Sequence, residues 1–141
     1  MLDSTIFPDL PLPLPKTLAL GNYGAFNLCD ALDFVLAEMT AHGDTLTQKC
    51  AARSRELVRL IHPATLNGNT LPGKAAPLIL GVLNLGHMYQ AEVVLKLCDG
   101  LPANGAEFVT IRQFRHYLSE AEDIFYRMIE ESRPWATDSE N

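Results

Sequence analysis

Apolar residues recur every three or four positions along most of this chain, and four such stretches each predict a helix. The first runs from about Gly24 to His42, where Leu28, Leu32, Val35 and Met39 form a stripe. Asp30 and Asp33 sit early in it, where the helix dipole favours anions, and Gly43 suits its end. A second helix follows at once. Thr45 and Gln48 have the spacing of a capping box, with Asp44 just ahead, and Pro63 stops the helix. Leu46, Cys50, Leu57 and Ile61 are its expected buried stripe.

The third helix opens near Pro77, a residue suited to a first turn, and ends at Asp99-Gly100. It carries no formal charge from Ala75 to Ala91. Leu78 to Leu85 are apolar almost all round, which predicts a helix buried on several sides at the centre of the molecule. Gly81 and Gly86 lower its helix propensity and let neighbours approach closely. The fourth helix spans about Ala106 to Ser132, with Phe108, Ile111, Phe114, Leu118, Ala121, Phe125, Met128 and Ile129 as its stripe and a charged opposite face.

Short connections make consecutive helices antiparallel neighbours. The expected fold is therefore all-α, a four-helix bundle of two antiparallel helix pairs. Ahead of it, residues 1–20 hold Pro8, Pro11, Pro13 and Pro15 interleaved with leucines, which predicts an extended arm. Residues 21–133 form the bundle and residues 134–141 a flexible tail. His62 to Lys74 reads as the longest loop, with turns at Asn67-Gly68 and Pro72-Gly73. No strand-like alternation of useful length is visible.

Composition narrows the function. The 141 residues carry a net charge of −6, against broad binding to nucleic acid or anionic lipid. Cys29, Cys50 and Cys98 lack metal-site spacing and lie in apolar patterns, so each is expected to behave as a small hydrophobe in a reducing cytoplasm. The opening residues lack the basic and apolar regions of a signal peptide. Asn84, His87 and Gln90 argue against a membrane span for the third helix.

Candidate chemistry is sparse. Asn84 and His87, three apart on the most apolar helix, are the candidate lining of a small apolar ligand pocket. Glu-x-x-His and HExxH are absent, as are GxSxG, GxGxxG and the P-loop, so no metal or other cofactor is expected. The outer face of the second helix is basic, with Lys49, Arg53, Arg55 and Arg59 against Glu56. Within it, "RELVRLIH" places six residues between Arg55 and His62. That spacing resembles the Arg-x4–6-His motif of HEPN-type ribonucleases, all-α bundles of similar size. The resemblance implies metal-independent RNA cleavage across a symmetric dimer, with Arg55 stabilising the transition state and His62 moving a proton. Glu56 and Pro63 depart from the usual surroundings of that motif.

The leading expectation is a non-enzymatic protein-interaction module, such as an adaptor, a chaperone or an assembly subunit. Its partner is another protein, with homodimerisation through the arm as a further expectation. Leu12 and Leu14 in the arm, the basic residues Lys49, Arg53, Arg55 and Arg59, and the terminal Trp135 are its candidate contacts.

Overall fold

Four apolar stripes become four long helices in a computed structural model that describes residues 14–21, 24–101 and 108–132. In chain order the elements are β1 (Thr17–Ala19), α1 (Gly24–His42), α2 (Thr45–Leu60), a single turn α3 (Pro63–Leu66), β2 (Thr70–Pro72), a 3-10 turn (Gly73–Ala75), α4 (Ala76–Cys98) and α5 (Phe108–Glu131). The described residues are mostly helical, as the sequence pattern implies.

The helix at the centre is α1, not the one expected. α1 packs extensively on both α2 and α5, whereas α4 meets α5 and only the margins of α1 and α2. The cause lies in the width of the apolar stripe. α1 buries one line through Leu28, Leu32, Val35 and Met39 and a second through Ala25, Cys29 and Leu36, so it seals two neighbours at once. α4 has apolar residues all round but buries only the inward line of Ile79, Val82, Leu83, Gly86, Tyr89 and Val93 beyond its first residue. Across Gly73–Cys98, only 33% of the apolar window is buried.

The α5 stripe behaves as expected from Ile111 to Ile129, and Ile124 joins it. Close contact between α4 and α5 depends on Gly86, since a Cβ there would lie 2.8 Å from Leu118 Cδ1. Tyr89 on α4 meets Phe114 on α5 edge-on, with ring centroids 5.0 Å apart.

α2 turns a different face inward from the one the sequence predicts. Its buried residues are Ala51 and Val58, while Leu46 is 71% exposed and Cys50 is exposed. Leu57 and Ile61 are half-buried. Small Ala51 lets α2 lie close on α1, and the half-buried Arg55 shares that inward side because it has a partner there. The cap also differs. Asp44 is the N-cap residue, its Oδ1 accepting from Thr47 N–H at 2.8 Å, so Thr45 already lies within the helix.

Two three-residue strands form where the sequence suggested an arm and a loop. β1 and β2 pair antiparallel with Leu18 opposite Leu71, both fully buried. Each strand contributes one inward side chain, too short a run for alternation to register. Gly73 N–H donates to Lys16 O at 2.8 Å, and a Cβ on Gly73 would collide with Pro15 O. Ser132 closes the other side: its Oγ accepts from Ala19 N–H at 2.8 Å and donates to Ala19 O at 3.0 Å.

Candidate functional site

The expected basic face of α2 divides in two. Lys49, Arg53 and Arg59 are exposed, and Arg53 is paired with Glu56 at 3.9 Å. Arg55 turns toward α1, where its Nε donates to Asp33 Oδ1 at 2.7 Å and a terminal nitrogen donates to Oδ2 at 3.2 Å. The hydrogen bond from Arg55 holds the Asp33 carboxyl below its ordinary range. Burial opposes this, and the charges of Arg55, Arg59 and His62 assist it. In turn, Asp33 raises the guanidinium of Arg55.

His62 lies on the same side of the α1–α2 seam. Its Nδ1 accepts from Ala64 N–H at 3.1 Å, capping α3, and its Nε2 lies 3.5 Å from Asp30 Oδ1. Phe26 meets the imidazole edge-on at 5.7 Å. Arg55 and His62 are thus brought to one seam, and each faces a carboxylate of α1. A phosphate approaching Arg55 would compete with Asp33 for the same guanidinium edge.

Asn84 and His87 are both half-buried on α4. His87 turns to α5, with Nε2 3.2 Å from Glu122 Oε2. It lines an open groove of about 450 Å³ with Gln90, Arg112, Arg115, His116, Leu118, Ser119 and Glu122. That lining is mostly polar, and Asn84 is not part of it. Asn84 is half-buried toward the outer side of α4, because three positions on a helix carry it about 60° past His87. Leu14 is half-buried and packs against the core, while Leu12 and Trp135 lie outside the described residues.

The cysteines also separate. Cys29 is fully buried, and burial followed by the charge of Asp30 pushes its thiol up to about 12. Cys50 and Cys98 are exposed, against expectation, since one lies on the outward stripe of α2 and the other in the last turn of α4. Among the described residues, no group of three His, Cys, Asp or Glu is placed to hold a metal ion.

The feature that sequence reasoning missed is the outward face of α4. Pro77, Gly81, Met88, Ala91, Leu95 and Cys98 are exposed along it, with Asn84 half-buried between them. Met88 and Leu95 are each 64% exposed. Their spacing alternates between four and three, the period of a helix–helix seam. The signal was present in the sequence as seven-residue steps from Gly81 to Met88 to Leu95, but a helix apolar on every side hides which line is spare. The segment Gly73–Cys98 is also long and apolar enough to cross a membrane by length and composition. Comparison with family models, with curated proteins and with solved structures returns no match to this chain.

Proposed function

We propose that this chain is a non-enzymatic protein-interaction subunit of the cytoplasm, an adaptor, chaperone or assembly factor, that contacts its partner through the outward face of α4. The observation that carries this reading is the exposure of Met88 and Leu95 on a strip, running from Pro77 through Gly81, Asn84 and Ala91 to Cys98, whose own residues carry no formal charge. Large apolar side chains that line up on one face are contact elements, whereas scattered ones are ordinary surface. The lining of the α4–α5 groove and the pairing of Arg55 with Asp33 offer no comparable support for a catalytic reading.

The body that presents this face is a four-helix bundle of two antiparallel pairs, with the Pro-rich N-terminal arm, most of it outside the described residues, ahead of it. Two sets of contacts support the pairing of the helices. Arg55 and His62 meet Asp33 and Asp30 in reverse order, as do Gly86 and Tyr89 against Leu118 and Phe114.

Photo-crosslinking tests the reading. A benzoylphenylalanine replacing Met88, irradiated in living cells, is expected to give protein adducts, and the same group replacing exposed Glu120 on α5 is expected to give few. An equal or empty adduct pattern at the two positions would reject α4 as the contact surface.

A further inference from the structure

Among the described residues, Gly81 has no structural reason to be glycine. Its φ is not positive, and none of them lies within 4 Å of where a Cβ would be built. It nevertheless weakens the helix by about 1 kcal/mol relative to alanine. Gly86, five positions on, has such a reason in Leu118. A small residue facing open space on an apolar helix face is explained by a neighbour that arrives from outside.

The pattern of the strip identifies that neighbour. Gly81 and Leu95 lie on either side of Met88, seven positions away in each direction. A two-fold axis beside Met88 would run a second α4 antiparallel to the first. Gly81 of each copy then faces Leu95 of the other, and Asn84 faces Ala91. Both rows place a small residue against a larger one, and the operation repeats each contact twice, as an isologous interface must.

Charge selects the same occupant. The chain carries −6 overall, and Glu120, Asp123, Glu130 and Glu131 are exposed on α5, so most encounters between copies bring like charges together. Along the α4 strip from Gly81 to Leu95 they do not, because Gly81, Asn84, Met88, Ala91 and Leu95 are uncharged and Glu92 beside them is paired with Lys96. A lipid surface fits less well. Helices that lie on anionic membranes carry Lys and Arg along their rim, whereas this rim carries Glu92 and Asp99, and Lys96 is already paired to Glu92 at 3.0 Å.

From this we infer that the outward face of α4 is a homodimer contact, in which two α4 helices pack antiparallel about a two-fold axis at Met88. The inference rests on the interaction reading above and names its partner as a second copy of the chain.

Sedimentation equilibrium on the full chain should give twice the 15.6 kDa chain mass. Met88→Glu sets two carboxylates together at the axis and should return the chain to single mass with an unchanged helical circular dichroism spectrum. Gly81→Leu should weaken the dimer by about tenfold or more, and adding Leu95→Ala should restore much of that loss. In a Cys50→Ser, Cys98→Ser background, Met88→Cys should form a disulfide-linked dimer under mild oxidation, and Ser119→Cys should not.

A wild-type chain that stays monomeric into the tens of micromolar overturns the inference, as does a dimer indifferent to Met88→Glu. Two further measurements on a monomer separate this failure from that of the interaction reading. Adducts at position 88 with a different protein would overturn the homodimer and leave the interaction reading standing. Flotation with anionic vesicles, lost in Met88→Glu, would overturn both.

Discussion

Arg55 on α2 grips Asp33 on α1 with two hydrogen bonds, at 2.7 and 3.2 Å, on the side of α2 that points inward. Ala51 and Val58 turn in on that side, and Leu46 turns out.

The pair makes stability depend on acid. The folded Asp33 carboxyl titrates below its ordinary 3.8, so its charge stabilises the fold fully above that value. The contribution is lost as pH falls through the lower folded pKa. Both side chains are part-exposed, so the effect is limited to about 1 kcal/mol. Urea unfolding of wild type and Asp33→Asn should therefore differ by about that much at neutral pH, and the difference should close as pH falls through the lowered Asp33 pKa.

The three thiols should react at different rates. Cys50 and Cys98 are exposed and should label with a maleimide within minutes at neutral pH. Cys29 is fully buried, with its thiol raised to about 12, so it should label only when the chain opens. Mass spectrometry of the labelled native protein should show two adducts, and three in denaturant. A third adduct without denaturant would mean that α1 is not sealed at the centre.

How much of this was legible in the sequence follows from how unambiguous each stripe is. α5 has one apolar line and one charged face, so Ile111 to Ile129 could be read directly. α1 ran as predicted from Gly24 to His42, yet its central position was missed, because the second line through Cys29 and Leu36 went unweighed. α4 is apolar on all sides, and no sequence pattern says which side a neighbour will cover. α2 misled for another reason. Its inward side holds a small residue and a long-range ion pair, Ala51 and Arg55, rather than its leucines, and neither feature is a local pattern. For the same reason Arg55 and His62 were legible as a pair, while the carboxylates that face them, Asp33 and Asp30, were read only as dipole partners.

Tyr89 carries a polar atom with nothing to bond. Its ring is buried between α4 and α5, and its hydroxyl has no hydrogen-bond partner among the described residues. Burial, helped by Glu38 and Glu92, pushes the phenol up to about 12. An unsatisfied buried hydroxyl costs about 1–3 kcal/mol, whereas the ring itself contributes packing. Tyr89→Phe should therefore leave stability unchanged or raise it by about 1 kcal/mol, and Tyr89→Ala should lose about 3 or more. Chemical denaturation of both variants checks this. A clear loss in Tyr89→Phe would mean that the hydroxyl has a partner, such as a bound water.

Three glycines offer a graded test of where the structure is tight. At Gly73 a Cβ would overlap the backbone oxygen of Pro15, and neither strand can move without breaking the β1–β2 pairing. Gly73→Ala should cost more than about 2 kcal/mol. At Gly86 the Cβ would press on Leu118 Cδ1 at 2.8 Å, and Leu118 is itself buried, so relief means shifting a core side chain. Gly86→Ala should cost about 1–3 kcal/mol, with the gain in helix propensity offsetting part of the strain. Gly81 meets nothing among the described residues, so Gly81→Ala should stabilise the single chain by about 0.5–1 kcal/mol. Thermal unfolding at low protein concentration, where any dimer has dissociated, should rank Gly81→Ala above wild type and Gly86→Ala and Gly73→Ala progressively below it. A destabilising Gly81→Ala would place an unseen contact from the chain itself on the outer face of α4, and that face would then no longer be free for a partner.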